Sequence, residues 1–173
     1  MNFFLKKIYI LIFPLILINS SCGTYSLSGA SIPAEMKTVS IQFFENNAPL
    51  VVPYLSQQFT EALKERIRNQ SRLSMVRADA DGNFEGRITD YSIKSAAIEG
   101  TETPRAGLNR LTITVSVKYT NTLKPELSFE QSFSRFKEFS LSGGSIQSQE
   151  PNLIRDINAE LTEDIFNRAF ANW

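Results

Sequence analysis

The chain has 173 residues, in which 18 lysines and arginines balance 18 aspartates and glutamates, with a single cysteine and no histidine. The missing histidine excludes Ser-His-Asp and Cys-His catalysis and every histidine-containing zinc site, and the lone cysteine excludes an internal disulfide. A formal net charge of zero gives no bulk attraction for a polyanion, so nucleic acid is not an expected partner.

At the start, Lys6 and Lys7 precede an apolar run from Ile8 to Ile18, and Asn19, Ser20 and Ser21 stand directly before Cys22. This is the order of a secretory signal over residues 1–21: basic region, apolar region, small polar cleavage region. The run is only 11 residues long and contains Pro14, whereas a membrane-spanning helix needs about 20 apolar residues. Cys22, flanked by Ser21 and Gly23, resembles the lipobox of bacterial lipoproteins, whose thiol receives a diacylglyceryl group. The pattern departs at Asn19, where that motif usually has Leu, with Ile18 one place back. The resemblance implies lipidation at Cys22, and several acyl chains would anchor stably where one binds only marginally. Removing 21 residues leaves 152, the size of one ordinary domain. Loss of Lys6 and Lys7 leaves 16 basic against 18 acidic residues, a mature charge of −2. The expected organisation is a signal peptide over 1–21, a lipidated N-terminus and linker over 22–36, and one domain over 37–173.

A short strand is expected between Thr24 and Leu27, then a turn-rich linker through Gly29 and Pro33. Val39, Ile41 and Phe43 alternate with Ser40, Gln42 and Phe44, which predicts a half-buried strand over Lys37 to Phe44. Asn46 to Pro53 reads as a loop, because its Asn-Asn pair and two prolines disfavour helix and ladder alike. From Tyr54 to Gln70, Leu55, Phe59, Ala62, Leu63 and Ile67 recur at three-to-four spacing and predict an amphipathic helix. Leu73 to Val76 reads as a short strand, Asp79 to Asn83 as a turn, and Phe84 to Lys94 as a strand with a bulge at Gly86. Leu111, Ile113, Val115, Val117 and Tyr119 keep a strict period of two and predict a strand whose apolar face must be covered. Asn121 to Pro125 turns the chain into Leu127 to Phe139, completing a hairpin. A Ser/Gly stretch over 140–148 precedes a last helix with Pro151 in its first turn and an apolar stripe from Leu153 to Phe170. The fold class predicted is α+β, a single small mixed or antiparallel sheet with two amphipathic helices packed on one face.

Little in the sequence points to catalysis. Glu160, Glu163 and Asp164 lie opposite the apolar stripe of the last helix, where a solvated face is expected. Asp79-Ala80-Asp81-Gly82-Asn83 opens like a calcium loop, but Phe84 and Asp90 stand where the glycine and bidentate glutamate belong, so a tight turn is expected and no metal site. Arg105, Arg110, Lys118, Arg135 and Lys137 are of the type that pairs with phosphate oxygens, or else form a basic strand edge that resists aggregation. Phe44, if exposed, or the pair Phe136 and Phe139, could line a partner surface or equally close the core. Residues 100–107 hold Gly and Pro and read as a surface loop.

The runs Asn46 to Val51, Leu55 to Leu63, Asn109 to Val115, Phe129 to Phe136 and Asp164 to Trp173 resemble the LptE family of lipopolysaccharide-assembly lipoproteins. The resemblance implies a protein with no catalytic site and no cofactor, anchored in the outer membrane and facing the periplasm. It implies that the protein plugs the large β-barrel LptD, helps it assemble, and assists delivery of lipopolysaccharide to the outer leaflet. Gly23, in place of the aspartate that retains some lipoproteins in the inner membrane, fits outer-membrane sorting. Arg110, Lys118, Arg135 and Lys137 are the expected lipopolysaccharide contacts. The alternative from another class is a structural, pilotin-like lipoprotein serving a different outer-membrane pore.

Overall fold

The computed structural model describes residues 32–50, 52–95, 108–141 and 144–171. The elements run β1 (Thr38–Ile41), β2 (Glu45–Asn46), α1 (Leu55–Gln70), β3 (Ser74–Val76), β4 (Gly82–Ser95), β5 (Leu108–Asn121), a short 3-10 turn (Pro125–Leu127), β6 (Phe129–Ser140) and α2 (Ile146–Phe170). The expected signal, Cys22, the strand at Thr24 to Leu27 and the loop over 100–107 lie outside the described residues.

Five strands follow the order β3-β1-β4-β5-β6, with β2 also paired to β4. The pairings of β1 with β3 and of β1 and β2 with β4 are parallel, while β4, β5 and β6 form an antiparallel meander. The fold is therefore α+β with a mixed sheet, as the sequence predicts. The strict alternation of β5 sends Leu111, Ile113, Val115, Val117 and Tyr119 to the covered face, each at most 1% exposed. Against that face pack Leu55, Phe59, Leu63 and Ile67 of α1 and Ile154, Ile157, Leu161 and Ile165 of α2. Burying each such side chain contributes about 1.5–3 kcal/mol. Neither cap residue, Tyr54 nor Ser145, caps its helix through the side chain, a bond worth about 1 kcal/mol. Packing on the sheet, not capping, thus holds the helices.

Tyr54 at the start of α1 bonds Glu150 near the start of α2, and Arg66 near the end of α1 bonds the Ala159 carbonyl and pairs with Glu163. The helices therefore run side by side in the same direction. At the far end of α2, Phe170 meets Phe84 and Tyr119 at centroid distances of 6.0 and 5.8 Å.

Several expectations need correction. The first strand stops at Ile41, not Phe44: Gln42 still donates its backbone N–H to the Phe84 carbonyl at 2.9 Å, and ladder pairing resumes only at Glu45. That break shifts the alternation by one residue, so Phe43 is 59% exposed and Phe44 is fully buried. Phe44 meets Phe59 edge-on at 5.1 Å, and its backbone N–H donates to Thr60 Oγ1 at 3.1 Å. Gly86 is no bulge. It stays in register opposite Val117, and the irregularity falls between Ile88 and Asp90. Gly86 is small because the Phe44 ring and the Ser116 carbonyl lie where a side chain would begin. Leu127 belongs to the 3-10 turn, so β6 opens at Phe129. Finally, α2 begins at Ile146, which puts Pro151 inside the helix and not in its first turn.

Candidate functional site

The open face of the sheet is mostly polar, with Phe136 and Val76 as its exposed apolar side chains among the described residues. Its pairs are Glu85 with Lys118, Arg87 with Ser116, Asp90 with Thr114, Ser92 with Thr112 and Lys94 with Arg110, continued on β6 by Glu130, Ser132, Ser134, Phe136 and Glu138. An antiparallel sheet with one face packed and one solvated has this pattern. The face carries Ser and Thr hydroxyls, such as the Thr114 and Ser134 pair at 3.0 Å, between charges of both signs.

The fold does not bring the four sequence-predicted basic residues together. Arg110 and Lys118 lie on the open face, Arg110 bonded to Glu138 at 2.6 Å and Lys118 to Glu85 at 3.4 Å. Arg135 and Lys137 alternate to the covered side at the β6 edge and reach α2. There Arg135 grips both oxygens of Asp164 at 2.6 and 2.7 Å, and Lys137 pairs with Glu160. The Asp164 carboxylate, through those two hydrogen bonds, pushes the Arg135 guanidinium further toward its charged form. Arg105 lies outside the described residues. The two phenylalanines also part: Phe139 is buried, while Phe136 is 47% exposed on the open face with the Arg110 guanidinium 4.1 Å from its ring centre.

The carboxylates of α2 are thus ion-pair partners. Glu160 meets Lys137, Asp164 meets Arg135, and Glu163 approaches Arg66 at 3.7 Å. The bend expected over Asp79 to Asn83 ends sooner: Asp79 has a φ of 54°, Gly82 and Asn83 already belong to β4, and the Asn83 side-chain amide closes back on Ala80. Asp81 Oδ2 accepts from the backbone N–H groups of Lys37 and Thr38 at 2.8 and 2.9 Å and from Thr38 Oγ1 at 3.0 Å. These bonds hold its carboxyl below the ordinary carboxylate range. Because the folded value is the lower one, the contribution of Asp81 is present above the unfolded value near about 4 and is lost as pH falls through the folded value. Asp81→Ala should therefore shift the urea midpoint at about pH 7 more than at about pH 3, and a gap of equal size at both would contradict this. Among the described residues no group of three or more Asp, Glu, Cys or His residues is arranged to hold a metal ion. None of their helices is long and apolar enough to cross a membrane.

The family model LptE, described as lipopolysaccharide-assembly, matches residues 36–169. The chain belongs to the LptE family. Membership gives this LptE-family protein a role in lipopolysaccharide assembly, in a family of non-enzymatic assembly lipoproteins. No curated protein sequence matches it. The fold is similar to that of a minor lipoprotein from Acinetobacter baumannii, at 13% identity and TM-score 0.50, covering 77% of this chain and 91% of that one. A hypothetical protein from Chlamydia trachomatis is similar too, at 10% identity and TM-score 0.53, with 79% and 99% covered. At such identities the likeness is one of fold.

One constellation in this LptE-family chain escaped the sequence reading. Glu150, Tyr54 and Tyr91 come from α2, the start of α1 and β4, and their side chains meet at 2.9 and 2.5 Å. No local motif links residues so far apart in sequence. The signal present was the buried phase of β4, which sends Tyr91 inward with a hydroxyl that must find an acceptor.

Proposed function

We propose that the protein is an outer-membrane lipoprotein, anchored through lipid on Cys22 and facing the periplasm, that plugs an LptD-type β-barrel, helps it assemble, and assists lipopolysaccharide transport to the outer leaflet. The observation that carries this reading is family membership across residues 36–169, most of the expected mature domain. The physical argument is one of surface match. A barrel lumen is polar and water-filled, and the open sheet face presents hydroxyls and ions of both signs to such a wall. An interface of this kind is large and wet, with no need of a deep pocket.

The proposed contacts for the phosphorylated glycolipid begin with Arg110 and Lys118, whose carboxylate partners Glu138 and Glu85 are themselves exposed and exchangeable for phosphate oxygens. Arg135 and Lys137 are proposed as secondary contacts at the β6 edge, since each must first release a carboxylate of α2. Depletion of the protein in its native cell tests the reading. Surface lipopolysaccharide should fall and sensitivity to apolar antibiotics should rise. Unchanged surface lipopolysaccharide with loss of a secreted substrate would support a pilotin-like role and reject this one.

A further inference from the structure

The first residues of α2 are fastened to the domain differently from the rest of that helix. The Glu150 carboxylate accepts the Tyr54 hydroxyl at 2.9 Å and the Tyr91 hydroxyl at 2.5 Å. Beside it, Gln149 Nε2 donates to the carbonyls of Ser140 and Gly144, both at 3.1 Å. Ile146 packs against the core only partly buried. From Ile154 onward the fastening changes, and α2 is seated by the fully buried Ile154, Ile157, Leu161 and Ile165.

Both borders of Ile146–Glu150 are backbone joints. Pro151 has no N–H, so the helical bond to the Gln147 carbonyl cannot form, and its ring crowds that carbonyl. On the other side Gly144 has a φ of 131°, a conformation in which glycine rests without strain. A five-residue segment between two such joints, tied down by polar contacts, belongs to the low-stability end of a folded domain. What it covers is specific: Tyr91 is 1% exposed, and its ionisation is pushed up first by burial and then by the Glu150 carboxylate. The same causes raise Tyr54 to about 12. Both phenols therefore stay protonated donors near neutral pH, and the Glu150 carboxylate accepts both.

We propose that Ile146–Glu150 is a strap that opens as a unit about Pro151 while the sheet and the rest of both helices stay folded, uncovering Tyr91 and the start of α1. Glu150 is its fastening, joining α2 to α1 and to β4 at once. A turn that is merely the beginning of a uniform helix would instead fray residue by residue from its end, with no dependence on the Tyr54 hydroxyl.

Amide hydrogen exchange on the full chain separates the two cases. The amides of Asn152, Leu153 and Ile154 have strap carbonyls as their helical acceptors. In the wild-type protein they should exchange faster than those of Leu161 to Ile165. Glu150→Ala should accelerate them by a further roughly ten- to hundredfold, the effect of losing hydrogen bonds to a charged group, with Leu161 to Ile165 and β5 unchanged. Tyr54→Phe keeps the ring and removes one bond, so it should give a smaller acceleration at the same three amides even if Glu150→Ala fails to fold. Acceleration spread evenly over α2 and the sheet, or none at these amides in Tyr54→Phe, would overturn the proposal.

Discussion

Gly86→Ala is expected to lower the unfolding free energy by about 3 kcal/mol or more, the upper end of the cost of overfilling a packed interior. A Cβ at this position would lie 2.5 Å from Cε1 of Phe44 and closer still to the carbonyl oxygen of Ser116. The first obstacle is a ring pinned against Phe59 and the second is the backbone of the neighbouring strand, so neither can turn aside. Moving Phe44 would also pull its backbone N–H from Thr60 Oγ1 and loosen the join between the sheet and α1. Gly82→Ala is the internal control, because a Cβ there meets only side-chain atoms of Tyr119 at 3.2 Å and Met36 at 3.6 Å. Its expected cost is about 1 kcal/mol. Urea unfolding of the two variants checks the ordering. A Gly86→Ala protein as stable as Gly82→Ala would mean that Phe44 does not occupy the space above residue 86.

What could be read in advance follows from how local each cause is. The α1 helix matches its expected span to within one residue, and β5 keeps the expected inward side chains but begins at Leu108, three residues before Leu111, because apolar spacing marks the buried face and not the strand end. The exchange of Phe43 and Phe44 is not legible in the sequence, because the break after Ile41 is made by long-range pairing with β4, which no window of neighbouring residues contains. Gly86 carried a true signal with an ambiguous meaning, since a glycine in a strand marks either a bulge or a close approach. The start of α2 is hidden in the sequence because Pro151 fits a first turn so well, whereas the anchoring of Glu150 comes from Tyr54 and Tyr91, far away in the chain. The basic residues show the same limit: their alternation along β5 and β6 was visible, but only the register shows that Arg110 and Arg135 lie on opposite faces of the sheet.

Gentle detergent extraction of the native membrane, followed by capture of this chain, tests the account most directly. A very large β-barrel protein should be recovered with the wild-type chain in near-equal amount. The two surfaces in question are large and wet, so the association should survive washing and also modest salt, which screens only exposed charges. Cys22→Ser should abolish attachment of free chain to the bilayer, sending the fraction not held by the barrel into the soluble extract, since acyl chains supply the membrane affinity. A wild-type chain that elutes alone from an extract in which large barrels remain intact would contradict the account.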